Sequence, residues 1–138
     1  MSTEANKQVV KDLFAALSRG DNEAGFQLLA DDMIWPVIGD TPVSGTYQGL
    51  KAIQEDLLGR VFQQIDHEAG IGMEMVELIA EGGNVVARTR GTIAGKYGPY
   101  NNTYCHVVTI RDGKIVENIE HLDTALIETT LYGKKLAA

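Results

Sequence analysis

The spacing of apolar residues changes once along the chain, and this change constrains the fold more than any other feature of the sequence. Up to about residue 62, apolar residues recur every three or four positions, as they do on one face of an α-helix. From Ile71 onward they alternate with polar residues, as they do in strands with one buried face. Helices followed by a run of strands predict an α+β domain, in which the helices cover one face of an antiparallel sheet.

Three amphipathic helices are predicted in the first part of the chain. Their expected ranges are 9–17, 23–30 and 50–62. A brief strand over 33–35 is expected to end at Pro36, because proline cannot donate a hydrogen bond to a strand ladder. Residues 39–49 are rich in Gly, Thr, Pro and Ser, which is typical of a surface loop.

Four strands are predicted in the second part of the chain. Their expected ranges are 71–80, 84–94, 101–110 and 115–122. The last two flank the turn 111–114, whose Gly113 can adopt a positive φ, so they are predicted to form one long hairpin.

The register of this hairpin is left open between two alternatives. If a type I turn is followed by a glycine bulge, His106 faces Asn118 and Tyr104 faces Glu120. The polar side chains that then share one face are Asn102, Tyr104, His106, Asn118 and Glu120. A two-residue turn would instead set His106 against Ile119 and turn Glu120 to the other face, because a one-residue slip inverts every side chain.

Composition limits the domain organisation and the partners. With 138 residues, 44% of them hydrophobic, the chain is expected to form a single domain over residues 1–138. A formal net charge of −7 argues against nucleic acid or an anionic membrane surface as a partner. Residues 1–7 lack the apolar core of a signal peptide and no run is long enough to cross a bilayer, so a cytoplasmic protein is expected. The lone Cys105 excludes an internal disulfide and a cysteine-based zinc cage.

Three short motifs, taken in order, carry a resemblance to a known family. They are the helix break Arg19-Gly20-Asp21, the segment Ala30-Asp31-Asp32 leading into Trp35, and the hairpin Asp112-Gly113-Lys114-Ile115-Val116-Glu117. The chain resembles the SnoaL-like, ketosteroid-isomerase-like branch of the nuclear transport factor 2-like superfamily. The resemblance implies a cone-shaped, cystatin-like roll, in which a curved antiparallel sheet is wrapped by three N-terminal helices around an apolar pocket. It also implies a homodimer formed through the sheet.

The resemblance to ketosteroid isomerase does not extend to its catalytic groups. That enzyme uses an Asp base, with a Tyr and a protonated Asp as the oxyanion hole. The matching positions here resemble Val37, Leu13 and His106. Val37 cannot accept a proton, so steroid isomerisation by that mechanism is not expected, although His106 could still donate a hydrogen bond to an oxyanion.

Other members of the superfamily direct attention to Glu120. The limonene epoxide hydrolase branch uses an Arg-x-Asp segment, which resembles Arg88-Thr89-Arg90 with Arg90 in place of the carboxylate. Its second Asp falls at Glu120. In SnoaL, a polyketide cyclase, an acidic residue on the last strand is the acid/base, and Glu120 is its nearest match. His106 with Tyr104 faintly resembles the residues of scytalone dehydratase.

Each candidate catalytic residue has a functional and a structural interpretation. Glu120 is either a general acid/base in an apolar cone, where burial raises its pKa, or a surface glutamate. His106 either assists Glu120 or is a hydrogen-bonded sheet histidine. Arg88 either stabilises negative charge in the pocket or lies on the sheet surface, paired with Glu74 or Glu77, and the surface position is favoured. The residues predicted to bind substrate are Trp35, Tyr104, Asn102, Arg90 and Val37.

Two functional hypotheses follow. The first is a cofactor-independent enzyme that transfers a proton on a small, apolar, oxygenated substrate, such as a polyketide, terpenoid or steroid-like ketone, in an isomerase, cyclase or dehydratase reaction. The alternative is a non-catalytic small-molecule-binding or dimerisation module, or an epoxide-hydrolase-like hydrolase. The absence of carboxylates at Val37 and Arg90 favours the non-catalytic module. No metal or nucleotide cofactor is expected, because neither a convincing ligand set nor a phosphate-binding loop is present.

Overall fold

The computed structural model describes residues 2–137 and has the predicted α+β architecture. Its strands are β1 (Leu29–Val37), β2 (Gly45–Gln48), β3 (Ile71–Glu81), β4 (Asn84–Gly95), β5 (Gly98–Pro99), β6 (Thr103–Arg111) and β7 (Lys114–Leu122). The strand order in the curled sheet is β2-β1-β7-β6-β4-β3, with the short β5 paired to β4. Neighbouring strands are antiparallel except β1 and β7, which run parallel.

The helical segments pack over the sheet, and most of them come from the N-terminal half of the chain. They are α1 (Thr3–Ser18), α2 (Asn22–Phe26), a π-helix (Ala52–Leu58) that continues as α3 (Gly59–Phe62), a 3-10 turn (His67–Ala69), and α4 (Thr124–Leu126), which continues as a second π-helix (Ile127–Leu131). The three predicted N-terminal helices are present, but the second ends at Phe26 and not at residue 30, because Leu29 and Ala30 belong to β1. The C-terminal helix over 124–131 was not predicted. No helix within residues 2–137 is long and apolar enough to span a membrane.

The first two helices begin and end at the residues that the sequence indicates. The hydroxyl of Ser2 accepts a hydrogen bond from the backbone N–H of Ala5, which caps α1. Gly20 has a φ of 76°, so the chain can leave the helix there. Asp21 then caps α2 by accepting from the N–H of Ala24. The apolar face of α1, which includes Val10, Leu13 and Phe14, is buried against the sheet.

The region around Pro36 differs from the prediction. Strand β1 starts earlier and continues one residue past Pro36, which pairs in register with Thr46 of β2. The expected loop over 39–49 therefore contains a strand. Proline lacks only one N–H group, and the ladder to β7 continues at Val37, which lies opposite Glu120.

The hairpin register matches neither alternative and contains elements of both. Arg111 pairs with Lys114 across a two-residue turn, in which Asp112 and Gly113 have φ values of 51° and 77°, as in a type I′ turn. A bulge then inserts one extra residue, Val116, because Ile110 pairs with Ile115 whereas Thr109 pairs with Glu117.

The bulge decides which side chains face inward. It cancels the inversion that the two-residue turn alone would cause, and it sets His106 directly opposite Glu120. The members of the predicted polar set that lie in the two strands, Tyr104, His106, Asn118 and Glu120, therefore share the inner face, although each lies opposite a different partner from the one expected. Asn102 lies just before β6.

Two apolar clusters fill the space between helices and sheet. The first lies under α1 and includes Phe14, Trp35 and Leu57. The second joins the sheet to the C-terminal helix and includes Val43, Ile65, Ile93, Tyr100, Ile127 and Leu131. The cavity described below is lined by members of both clusters.

Candidate functional site

An apolar cavity of about 140 Å³ opens between the helices and the inner face of the sheet. Its apolar walls come from α1, the helix over 52–62 and strands β3 and β4. The polar or polar-tipped side chains that line it are Asn22, Trp35, Tyr100, Tyr104, His106 and Glu120. Among the residues that the structure describes, no lysine or arginine lines this cavity. An apolar pocket with a few convergent polar groups is the usual form of a small-molecule site.

Glu120 is the acid/base candidate of the cavity. Its side chain is 15% exposed, and burial raises its pKa from 4.5 to about 7. An interaction of the Trp35 indole N–H with the carboxyl group partly opposes this shift, although Nε1 lies outside the geometry of a full hydrogen bond. A carboxyl group with a pKa near neutrality can both take and return a proton under ordinary conditions.

His106 lies beside Glu120 and is buried between aromatic side chains. Its Nδ1 atom is 3.2 Å from Oδ1 of Asn118 and 3.8 Å from Oε1 of Glu120. Its ring stacks on Tyr104 with 5.6 Å between centroids and packs at 4.7 Å against Phe14. Burial lowers the His106 pKa to about 4, although the Asn118 hydrogen bond opposes this.

The pair is therefore not an ion pair at neutral pH. Burial disfavours the charged form of each partner, so a neutral imidazole faces a carboxyl group close to its titration midpoint. Because an amide oxygen only accepts, Nδ1 of His106 carries the proton and donates to Asn118. The Nε2 atom is then an acceptor, and within residues 2–137 it has no partner.

Two tyrosines add hydrogen-bond donors to the same cavity. Burial raises the pKa of Tyr100 to about 12, and the charge of Glu120 acts in the same direction. Burial raises the pKa of Tyr104 well above its ordinary value, and Tyr100 and Glu120 add to the shift. Both hydroxyls therefore stay protonated and can donate to a ligand oxygen at neutral pH.

Asn102 was predicted to bind substrate, and the structure gives it a different position. It is 1% exposed and does not line the cavity. Its amide accepts from the N–H of Asp123 and donates to the carbonyl of Asp123, both at 3.0 Å, and it also donates to the hydroxyl of Tyr100 at 3.3 Å. Asn102 therefore fixes Tyr100 and the end of β7 in place.

The two arginines of β4 do not reach the cavity. The Arg88 side chain is 55% exposed and pairs with Glu77 at 3.0 Å on the outer face of the sheet. Arg90 is exposed and lies opposite Glu74. The predicted roles of Arg88 in catalysis and of Arg90 in substrate binding are therefore corrected, because strand alternation turns both away from Glu120. The favoured surface interpretation of Arg88 is confirmed.

Of the remaining predicted substrate-binding residues, two line the cavity and one does not. Trp35 and Tyr104 line the cavity as expected. Val37 is 3% exposed and belongs to the first apolar cluster without lining the cavity, so its predicted contact with substrate is corrected. Tyr97 is 56% exposed and also does not line the cavity.

Several wall residues of the cavity were not singled out as site residues from the sequence. Leu57, Leu58, Val61 and Phe62 come from one face of the third predicted helix. Their helical spacing was visible as an apolar stripe, but such a stripe predicts a packed core as readily as a ligand wall. Within residues 2–137, no three His, Cys, Asp or Glu side chains are grouped as metal ligands would be.

Solved structures with the same fold cover nearly all of the chain. An NTF2-like protein from Burkholderia xenovorans LB400 is 26% identical, with a TM-score of 0.74 over 95% of this chain and 98% of its own. A candidate isomerase from Bacillus subtilis is 19% identical, with a TM-score of 0.80 over 99% and 100%. TerC, co-crystallized with polyporic acid, is 21% identical, with a TM-score of 0.79 over 93% and 98%. Likenesses at 19% and 21% identity show the shared fold.

Comparison at the level of sequence gives the family. Among proteins with curated descriptions, none matches this chain significantly. The sequence model of the SnoaL-like domain matches residues 10–118, which include the second half of α1, the helix over 52–62 and most of the sheet. The chain therefore belongs to the SnoaL-like domain family.

Proposed function

We propose that this protein is a cofactor-independent acid/base enzyme that transfers a proton on a small, mostly apolar, oxygenated substrate. The observation that carries the proposal is the position of Glu120, a carboxyl group with a pKa of about 7 on the wall of an apolar cavity. Catalysis by a positioned general acid/base is most effective when its pKa lies near the working pH.

The reaction class follows from the groups around Glu120. Ionised Glu120 takes a proton from the carbon next to a ketone carbonyl, and the negative charge moves to the carbonyl oxygen. The protonated hydroxyls of Tyr100 and Tyr104 supply hydrogen bonds to that oxygen. In a ketone with a β,γ double bond, the charge also extends to the γ-carbon, and Glu120 returns the proton there, so the double bond moves into conjugation and the isomerisation is complete. The candidate isomerase among the structural neighbours is consistent with this class.

His106 acts through Glu120 in this scheme. Its Nδ1 atom is 3.8 Å from the carboxylate and already donates to Asn118, so it is a positioning residue. It is also packed between Phe14, at a tilted angle, and Tyr104, on which it stacks, so this part of the cavity wall is aromatic. Burial behind such a wall keeps the Glu120 pKa high.

Exchange of hydrogen for deuterium tests the proposal without knowledge of the natural substrate. Cyclohexanone is incubated with the protein in D2O, and loss of its α-proton signals is followed by NMR. Glu120→Gln is expected to slow the protein-dependent exchange by about 10² to 10⁴-fold. Glu77→Gln, which removes an outer-face carboxylate, is the matched control and should retain the rate. Unchanged exchange in Glu120→Gln contradicts the proposal.

A non-catalytic binding module is the second candidate. The position where the ketosteroid isomerase resemblance places a base is Val37, which is packed in the core. Saturable binding of small ketones without any Glu120-dependent exchange would favour this function. An epoxide-hydrolase mechanism receives no support, because Arg90 lies on the outer face.

Association through the sheet stays a prediction. The outer face carries the exposed pair of Arg88 and Glu77 and the partly exposed Cys105. Light scattering of the purified protein gives the mass in solution, and a mass of one chain would contradict the predicted homodimer.

A further inference from the structure

Two buried polar atoms of the cavity wall have no hydrogen-bond partner within residues 2–137. They are Nε1 of Trp35 and Nε2 of His106, whose residues are 4% and 1% exposed. Both side chains line the cavity. Buried polar groups are paired in most native structures, so unpaired atoms on a cavity wall indicate where a ligand makes hydrogen bonds.

The two atoms differ in hydrogen-bond character. The indole N–H of Trp35 can only donate. Nε2 of His106 accepts, because Nδ1 carries the ring proton and donates to Asn118. A ligand that satisfies both atoms must offer one hydrogen-bond acceptor and one donor, and on the uncharged oxygenated substrate proposed above these are a carbonyl and a hydroxyl group.

The charge of the cavity limits the ligand further. Glu120 is the carboxylate on the wall, and no lysine or arginine among the described residues is there to pair with an anion. An anionic ligand would lie beside Glu120 in a medium of low dielectric constant, where like charges repel strongly. Carboxylate and phosphate ligands are therefore disfavoured.

The volume of the cavity sets the size of the ligand. A volume of about 140 Å³ is close to the roughly 150 Å³ of an engineered apolar cavity that binds benzene. The enclosed part of a ligand is therefore about one six-membered ring with its substituents.

We infer that the ligand of this cavity is an uncharged hydroxy ketone of about one ring. Its carbonyl oxygen accepts from Nε1 of Trp35, and its hydroxyl donates to Nε2 of His106. The inference rests on the proposed function, since the carbonyl that Trp35 holds is the one whose neighbouring carbon loses a proton to Glu120. Trp35 can bind that carbonyl next to Glu120, because its indole N–H interacts with the Glu120 carboxyl group.

Calorimetric titration with four ring compounds tests the ligand class. The probes are 2-hydroxycyclohexanone, cyclohexanone, cyclohexanol and cyclohexanecarboxylate. The hydroxy ketone is expected to bind about tenfold more tightly than either singly substituted neutral ring, because one more buried hydrogen bond forms. The carboxylate is expected to bind most weakly. Trp35 is the single tryptophan of the chain, so its fluorescence reports independently on occupancy.

Two variants assign the contacts to their atoms. Trp35→Phe keeps the ring and removes the donor, so it should weaken both ketones about tenfold and leave cyclohexanol unchanged. His106→Asn keeps an N–H donor toward Asn118 and removes the imidazole with its Nε2 acceptor, so it should weaken only the two compounds with a hydroxyl group. If His106→Asn does not fold, the probe series on the unmodified protein and on Trp35→Phe still tests the ligand class.

The outcomes separate this inference from the proposed function. Equal binding of the three neutral probes, or tightest binding of the carboxylate, overturns the ligand class even if Glu120-dependent exchange is observed. Hydroxyl-dependent binding without Glu120-dependent exchange supports the ligand class and overturns the proposed catalysis.

Discussion

The two faces of strands β6 and β7 each carry a histidine, in different surroundings. On the inner face, His106 lies opposite Glu120 on the wall of an apolar cavity. One position along each strand, Cys105 lies opposite His121 on the outer face. The inner pair has strongly shifted pKa values because burial disfavours both charged forms. The outer face instead carries a half-exposed ion pair between Arg88 and Glu77.

The comparison shows that residue type alone does not identify a functional group in a sheet. Arg88 had the appropriate chemistry to stabilise an enolate, yet it points to solvent. Glu120 has a common side chain, and its proposed role depends on removal of water from around it. Four variants test this contrast between the faces.

Insertion of one alanine between Val116 and Glu117 should exchange the two faces of β7. If the bulge keeps its single extra residue, every later residue moves by one position, so Glu120 turns outward and His121 inward, and the buried Asn118 moves to the outer face. A loss of more than about 4 kcal/mol in the free energy of unfolding is expected, as for other large disruptions of a core. Denaturant titration measures it. Val116→Ala keeps the bulge and the chain length and is the control, and an insertion variant as stable as that control would contradict the assigned register.

Glu120→Gln should stabilise the protein in a pH-dependent manner. The Glu120 pKa is raised to about 7 in the folded state, so folding takes up a proton between about pH 4.5 and 7 and the contribution of Glu120 falls as pH rises through that window. The variant should match the unmodified protein below about pH 4.5 and exceed it by about 3 kcal/mol above about pH 7. Denaturant titrations at several pH values measure the difference.

His106 gives this experiment a second readout. Its pKa is lowered to about 4, so its contribution to stability is lost as pH falls from about 6.5 to 4, opposite in sign to that of Glu120. The unmodified protein should therefore show a nearly flat profile in this range, whereas Glu120→Gln should become more stable as pH rises. A constant difference between the two proteins at all pH values would show that Glu120 is not desolvated.

Asn102→Ala should cost about 2 kcal/mol, because it removes buried hydrogen bonds to Asp123 and Tyr100. Thermal unfolding and ligand affinity are measured together, since release of the Tyr100 hydroxyl should also weaken ketone binding. Asn101→Ala is the neighbouring control. Its side chain accepts one hydrogen bond, from the N–H of Ile93, and it is more exposed, so a smaller loss is expected. Equal losses would show that Asn102 does not hold Tyr100.

Arg88→Gln should have the smallest effect. It breaks an exposed ion pair, which typically contributes less than about 1 kcal/mol. The proton-exchange rate should stay unchanged, because Arg88 does not line the cavity. If Arg88→Gln slows proton exchange as much as Glu120→Gln does, Arg88 takes part in catalysis and the proposed contrast between the two faces is wrong.

Much of the fold could be predicted from periodicity and from turn and cap residues. The helix break at Gly20 and Asp21, the four long strands and the family resemblance needed only local patterns. Strand β2 and the C-terminal helix over 124–131 were missed. The first is four residues long, and the second is stabilised by packing of Ile127 and Leu131 into the second apolar cluster.

The sequence by itself determined which polar residues were available for a site and that β6 and β7 would form a hairpin. Only the tertiary structure decided which of those residues meet. One inserted residue, Val116, sets the inward direction of Glu120, and alternation along β4 sends Arg88 outward. Burial by helices distant in sequence then raises the Glu120 pKa. Register and desolvation both depend on contacts between distant segments, and therefore neither can be deduced from local sequence.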